Sequence, residues 1–411
     1  MSLKNIAESI VKETIKEILP ENLVKSKLKE LNINEEVYVL SIGKAAWRMA
    51  KAASEVLKVK KGIVITKYGH SLGNIDGFDI FEAGHPIPDD NSLKATEFVI
   101  KNFEKLGKDD HLIFLVSGGG SALFELPEEG ISFGEIQDIT KQLLNSGADI
   151  VEINTIRKRL SQVKGGKFAK IVYPAKITAL VLSDVLGDRL ESIASGPAYP
   201  DITTKDNALK IVKKYNLRIT DNVLKVLKKE TPKEIKNAVH YVIGSVDMAC
   251  KTVEKHAKKE GFNTYILTTQ LNCEAREAGR FVASIAKSIN QTSFKIPACI
   301  IYGGETVVKV RGNGKGGRNQ ELVFSAALEI EGMKNIVIVS VGSDGTDGPT
   351  DAAGGIIDGE TIVKIKRLGK NPYEYLENND TYNGLLISGD LLKTGPTGTN
   401  VNDFGFLLIG G

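Results

Sequence analysis

The feature that most constrains this chain is a repeated pairing of short Val- and Ile-rich runs with helical segments. Each run ends in glycine or a small polar residue, and a helix-forming stretch follows. Val37–Ile42 ends at Ser41 and Gly43, ahead of the helical stretch 44–57. The run 62–66 ends at Lys67-Tyr-Gly-His, His111–Val116 at Ser117-Gly-Gly-Gly-Ser121, and Ile177–Leu182 at Ser183-Asp184. Apolar runs of this length, bounded by turn residues, read as buried strands. Their alternation with helices predicts a parallel sheet covered on both faces. Residues 4–31 read as helices broken at Pro20. A lysine-rich helical stretch at 202–238 holds no strand; the rhythm then resumes at 241–243, 265–268, 298–301, 336–341 and 404–409. The pattern predicts two α/β domains, 1–237 and 238–411, with no short repeat that would make a solenoid.

Charge narrows the class further. Across 411 residues, 54 basic side chains face 51 acidic ones, a net charge of +3. That balance carries no footprint for nucleic acid or an anionic membrane. No apolar run approaches the 18 residues of a membrane span, and the N-terminus has no signal-peptide core. Cys250, Cys273 and Cys299 show neither metal-site nor redox spacing, which fits a reduced cytoplasmic interior. Lysine outnumbers arginine by 44 to 10, a bias that fits a thermophile, so each arginine stands out. Glycine makes up 41 residues, above the usual ≈ 7%. Eighteen of these fall in seven clusters, at 118–120, 165–166, 303–304, 312–317, 342–348, 354–355 and 395–398. Most are expected to line an anion-binding cleft.

In open parallel sheets, ligands bind beyond the carboxyl ends of the strands. Lys44 falls in the first turn of the helix after Gly43, where a cation opposes the helix dipole unless an anion is bound there. Ser117, Gly118, Gly119, Gly120 and Ser121 form a loop suited to an anion nest. It lacks the Gly-Lys-Ser/Thr of a Walker loop, and Leu123 stands where a dinucleotide fingerprint needs its third glycine. Asn154, Arg157, Lys158 and Ser161 share one helical face, and arginine suits bidentate carboxylate or phosphate recognition. Asp184 at a strand end, and Asp188 four residues on, could hold Mg2+ or accept a hydroxyl proton. Four glycine-dense polar loops follow in the C-terminal half, and Arg318 repeats the dipole conflict of Lys44. The acids of 344–351 do not fit an EF-hand. His85, in Gly84-His85-Pro86-Ile-Pro88-Asp89, reads as a structural residue of a stiff turn.

With these residues in view, the chain resembles the class II glycerate kinases, the family with a C-terminal MOFRL domain. The resemblance rests on Ser41-Ile-Gly-Lys44-Ala, Gly84-His-Pro-Ile-Pro-Asp89, Ser117–Ser121, Asn154-Thr-Ile-Arg157, Val163-Lys-Gly-Gly-Lys167 and Ser183-Asp184-Val-Leu-Gly-Asp188. It continues through Ser195-Gly-Pro197, Gly303-Gly-Glu305-Thr, Gly316-Gly-Arg318-Asn-Gln-Glu321, the segment 343–351 and Gly398-Thr-Asn400-Val-Asn-Asp403. The motifs run in family order from 41 to 403. One departs: where the family commonly has Gly-Glu-Ala-Arg, this chain has Cys273-Glu274-Ala275-Arg276, which puts a site role for Glu274 in doubt.

The resemblance implies an N-terminal Rossmann-like domain, a MOFRL-type second domain and an active site in the cleft between them. It implies transfer of phosphate from ATP, assisted by Mg2+, to D-glycerate, commonly at the 2-hydroxyl. The family's lysine and arginine fall on Lys44 and Arg318. In that scheme Ser117–Ser121 cradles phosphate or the substrate carboxylate, Arg157 with Asn154 orients glycerate, and Lys164 adds a cation. Lys44 and Arg318 neutralise the transferring phosphoryl, and Asp184 acts as base or metal ligand. Gly304, Glu305, Asn319 and Asn400 line the nucleotide site or the cleft, and Asp188, Asp344 and Asp347 support the metal. The expected partners are glycerate and ATP, and a homodimer is admitted by the sequence. Two rivals are a hydroxypyruvate reductase, which would need the missing dinucleotide fingerprint, and a non-catalytic sensor of acidic metabolites.

Overall fold

The computed structural model describes residues 2–291 and 293–411. The chain divides into two compact units: Pro20–Ile243, and Gly244–Gly411 together with the N-terminal stretch through Leu19.

In the first unit, six strands form one sheet: β1 (Val37–Ile42), β2 (Val59–Lys67), β3 (Phe78–Ala83), β4 (His111–Val116), β5 (Lys176–Leu182) and β6 (Ala238–Gly244). Their order is β3-β2-β1-β4-β5-β6, with every pairing from β3 to β5 parallel. The central strands are apolar on both faces because both faces are covered. Leu40, Ile42, Phe114, Val116 and Val181 pack with Val99, Phe103 and Phe168 on one side. Val37, Val39, Ile113, Leu115 and Leu180 pack with Leu28 and Met49 on the other. Strand order reverses between β1 and β4. At such a switch point the loops leaving two neighbouring strands diverge and open a crevice.

The second unit holds β7 (Asn263–Leu271), β8 (Ala298–Gly304), β9 (Ile336–Gly342), β10 (Gly354–Asp358), β11 (Leu391–Leu392) and β12 (Asp403–Ile409), in the order β11-β10-β9-β12-β8-β7. This sheet is mixed. β7 and β8 run parallel, whereas β12 lies antiparallel to both β8 and β9. Asp403 is in register with Gly304 on one side and Gly342 on the other. The loops after β8 and β9 therefore meet the lead into β12 at one end of the sheet.

Two boundaries differ from the sequence reading. The strand expected at 241–243 to open the second domain is β6, which extends the first sheet, and Ile177 N–H beside it donates to Asn237 O at 2.7 Å. The division accordingly falls after Ile243 rather than after 237. The helix Leu3–Glu17 belongs to the second unit. Its apolar face of Ala7, Ile10, Val11 and Ile15 is buried, Lys4 pairs with Asp390 at 2.5 Å, and Glu17 meets Lys255 at 2.8 Å and His256 at 3.0 Å. Edge strand β3 escaped the sequence reading because its polar–apolar alternation leaves it half-buried. Among the described residues, no helix is long and apolar enough to cross a membrane.

Candidate active site

At the switch point of the first sheet, the carboxyl ends of β1 and β4 deliver Gly43-Lys44 and Ser117–Ser121 side by side. Lys44 N–H donates to Gly118 O at 2.9 Å, Ala45 N–H to Ser117 Oγ at 3.1 Å, and Ser117 N–H to Ile42 O at 3.0 Å. Only glycine fits at 43. Its φ is +117°, and a β-carbon would lie 2.2 Å from Ser117 Oγ. Gly118 packs on Asp184, whose Oδ2 would sit 2.0 Å from an added β-carbon, so the aspartate after β5 faces the loop. The Lys44 ammonium has no hydrogen-bond or ion-pair partner among the described residues. Beside a glycine loop at a strand end, this is a charge available to a ligand.

The other side of the loop is polar and tightly tied. Ser121 Oγ and Ser195 Oγ share a hydrogen bond of 2.9 Å, and Ser195 Oγ donates to Asn154 Oδ1 at 3.5 Å. Arg157 donates to Ser121 O at 3.4 Å, while its Nε is buried without a partner. Ala194 and Ser195 hold φ of 50° and 60°, a left-handed backbone that costs an L-residue about 1–2 kcal/mol each. Such strain persists where surrounding structure over-determines it, commonly at ligand sites. The helical face expected to act as a block divides here. Asn154 and Arg157 reach the loop, but Lys158 turns to Asp201 at 3.4 Å, and Ser161 is buried at the helix end.

Lys164 does not reach the loop either. It is fully buried, with its ammonium 2.8 Å from both Phe124 O and Glu125 Oε2. Burial lowers its pKa to about 8, with Glu125 pulling the other way. Because Phe124 follows the short helix Gly120–Leu123, Lys164 supports the loop from beneath.

The second unit gathers a different set at the end of its sheet. Arg318 donates through Nε to Asp403 Oδ2 at 2.6 Å and through Nη2 to Oδ1 at 3.1 Å, and its Nη1 meets Glu305 Oε1 at 2.7 Å. Burial works against the guanidinium charge, but Asp403 and Glu305 outweigh it and hold the proton above the usual range. Burial also raises the Asp403 carboxyl, to about 6, against the pull of Arg318. Gly304 leads into this cluster. In the same region Asn400 Oδ1 accepts from Asn402 N–H at 3.1 Å, fastening the loop before β12.

Two expected site residues are structural in their contacts. Asp347 accepts Asn319 N–H at 3.1 Å and Gln320 N–H at 2.8 Å, so it caps the helix Arg318–Glu329, whose N-cap is the side-chain-less Gly317. Asn319 is buried between Asp347 and Ser340, whose Oγ donates to Asn319 Oδ1 at 2.6 Å. Asp344 accepts Thr346 N–H at 3.0 Å in a local turn. Asp188 sits half-buried at φ 52° in the loop after β5. Among the described residues, no three His, Cys, Asp or Glu side chains converge into a metal site. Glu274 pairs with Arg276 at 3.4 Å and Arg311 at 3.4 Å.

The glycine clusters divide in the same way. Gly118–Gly120 line the loop at the switch point. In contrast, Gly312, Gly314 and Gly316 press against residues 378–381, Gly317 against Asp347, and Gly354 against Ser340 O, each too closely for a side chain. Glycine at 312, 314, 316, 317 and 354 is thus required by close packing. The sequence reading also missed His85, which packs on Gly119 beside Lys44.

Comparison with known proteins places the chain among relatives along its whole length. Residues 6–228 match the family model described as a domain of unknown function, DUF4147, and residues 298–403 match the MOFRL family. The D-glycerate 2-kinase of Thermotoga maritima is 56% identical, covering 100% of this chain and 98% of the relative. The glycerate 2-kinase of Pyrococcus horikoshii is 40% identical, over 100% of this chain and 98% of its own. The crystal structure of a glycerate kinase from Thermotoga maritima superposes with a TM-score of 0.97 at 56% identity, covering 99% of both chains.

Proposed function

The chain belongs to the glycerate 2-kinase family, and on that premise we propose that it transfers the γ-phosphoryl group of ATP to the 2-hydroxyl of D-glycerate, giving 2-phosphoglycerate and ADP. The observation that carries this reading is the unpaired Lys44 ammonium beside the Ser117–Ser121 loop at the switch point of a parallel sheet. Phosphoryl transfer asks little covalent chemistry of a protein; it asks for charge and position around the transferring group. Lys44 and the loop supply these. The glycerate 2-oxygen forms the new bond to phosphorus as the bond to the ADP oxygen breaks. The hydroxyl proton passes to the Asp184 carboxylate, which faces Gly118. Arg157, with Asn154 and Ser195, orients the glycerate carboxylate.

Arg318, the other cation the family resemblance implicates, has its charge tempered by the two carboxylates that hold it. Mg2+ is read as the ion carried by the nucleotide. Asp347 is occupied in capping a helix and is not offered to that ion. Three free thiols, Cys250, Cys273 and Cys299, fit a reducing cytoplasmic compartment.

The test is direct. Protein incubated with D-glycerate and MgATP should release ADP only when glycerate is present, and enolase coupling should consume the product as the 2-phospho isomer. Equal ADP release without glycerate would sink the proposal. Oxidation of NADH with hydroxypyruvate would favour a reductase instead.

A further inference from the structure

We propose that His85 is a substrate-contacting residue of this reaction: it lies with Lys44 across Gly119 and donates from Nε2 to an oxygen of the phosphoryl group held on the Ser117–Ser121 loop. The inference rests on the reading of that loop as the anion site. The geometry is specific. A β-carbon at Gly119 would lie 2.9 Å from His85 Cδ2, 3.0 Å from its Nε2 and 3.2 Å from Lys44 Cγ. The imidazole and the lysine stem therefore flank one glycine, at φ +88°, and Nε2 is the ring nitrogen on the loop side. Neither ring nitrogen of His85 has a hydrogen-bond partner among the described residues.

The surroundings explain what that nitrogen awaits. Lys44 follows β1, Lys67 and His70 come from the end of β2, and His70 Nδ1 lies 3.0 Å from Lys44 O. The nearest turn carboxylate, Asp89, is occupied by Tyr68 Oη at 2.6 Å and by Ser92 N–H at 3.0 Å. The result is a cluster of cationic and imidazole groups with no carboxylate paired to Lys44 or His85. Burial, then the charges of Lys44, Lys67 and His70, lower the His85 pKa below its ordinary value. At pH 7 the ring is consequently neutral, carrying one N–H to give.

The experiment compares three variants with wild type in steady-state kinetics and thermal melting. His85→Leu removes the donor, His85→Gln places an amide N–H near the position of Nε2, and Lys44→Ala tests the loop itself. The expected result is a 10- to 100-fold fall in kcat/KM for MgATP in H85L, recovery to within about threefold of wild type in H85Q, and unchanged melting in both. H85L with wild-type kcat/KM would overturn the proposal. So would H85Q as impaired as H85L, because a donor role predicts rescue. If K44A keeps full activity, the anion-site reading falls and this proposal with it. If K44A is inactive while H85L is not, only the role of His85 falls.

Discussion

Lys44 and Arg318 each follow a glycine, one in each unit: Lys44 just after β1, and Arg318 at the start of the helix Arg318–Glu329. They differ in what holds them. Lys44 has no counter-ion among the described residues, and the glycines around it shape a loop. Arg318 is clamped by Asp403 and Glu305 within 3.1 Å, and the glycines before it are packed under other segments. A cation without a partner contributes little to folding and can give its full charge to a ligand. A cation already neutralised contributes to folding and can give a ligand only part of its charge. Position in the sequence does not separate these cases, because both satisfy the same motif logic. The carboxylates that separate them arrive from elsewhere in the chain.

The sharpest way to break the comparison is to remove each cation. Lys44→Ala should lower kcat at least 10³-fold, the scale at which a cation on a transferring phosphoryl acts, with melting unchanged. Arg318→Ala should lower kcat less, about 10²-fold, and should also destabilise the protein. It leaves Asp403 buried without its cation, a loss of about 3 kcal/mol. Steady-state kinetics with denaturant melts read both quantities. If K44A melts as early as R318A, the distinction is wrong.

Glycines offer a second contrast. Gly314→Ala would place a β-carbon 2.4 Å from Asp380 Cβ and 2.6 Å from Asn378 O, and overpacking of that kind costs about 1–3 kcal/mol. Activity per folded molecule should survive. Gly119→Ala meets the ring edge of His85, the Cγ of Lys44 and a left-handed backbone, at about 1–2 kcal/mol, and should lose activity at least tenfold. Equal activities in the two variants would erase the division between loop-forming and packing glycines.

The buried Glu125–Lys164 pair gives a pH signature to the first unit. The unfolded lysine holds its proton to about pH 10.4, whereas the native one releases it near 8. Between those values the unfolded chain binds more protons, so this group's contribution to stability rises with pH. Relative to the double variant E125L/K164M, wild type should gain on the order of 2 kcal/mol between pH 8 and 9.5 in urea melts. A flat difference would mean the lysine is not perturbed.

Much of this was legible in the sequence, for identifiable reasons. β1, β4 and β5 announce themselves because both their faces are buried, and the loops that follow them lie at the switch point, where ligands fit in open parallel sheets. The juxtaposition of Gly43-Lys44 with Ser117–Ser121 could therefore be expected from local order and sheet topology. What the sequence could not show depends on long-range contact. Lys164 looks like another site cation until Glu125 takes its charge, and Asp347 looks like a metal ligand until it caps the helix at 318. His85 looks structural in its own turn, and only the packing of that turn on Gly119 brings it to the loop. β6 and the first helix each join segments far from their neighbours in sequence, which local order does not show.

The smallest predicted effect concerns Ser195, where strain and hydrogen bonding meet. Its hydroxyl joins Ser121 at 2.9 Å and Asn154 at 3.5 Å while its backbone sits at φ 60°. Ser195→Ala keeps the strain and removes the hydroxyl, so it tests whether the strained turn exists to present that group. A neutral hydrogen bond contributes about 1 kcal/mol, which corresponds to a roughly fivefold rise in KM for glycerate with kcat nearly unchanged. Ser195→Gly relieves the backbone and should melt later than S195A, yet show the same rise in KM. If both variants keep the wild-type KM, the Ser121–Ser195–Asn154 cluster serves the fold rather than the substrate. Lys44 would then stand on a loop that needs only its glycines, and the contrast with Arg318 would rest on charge alone.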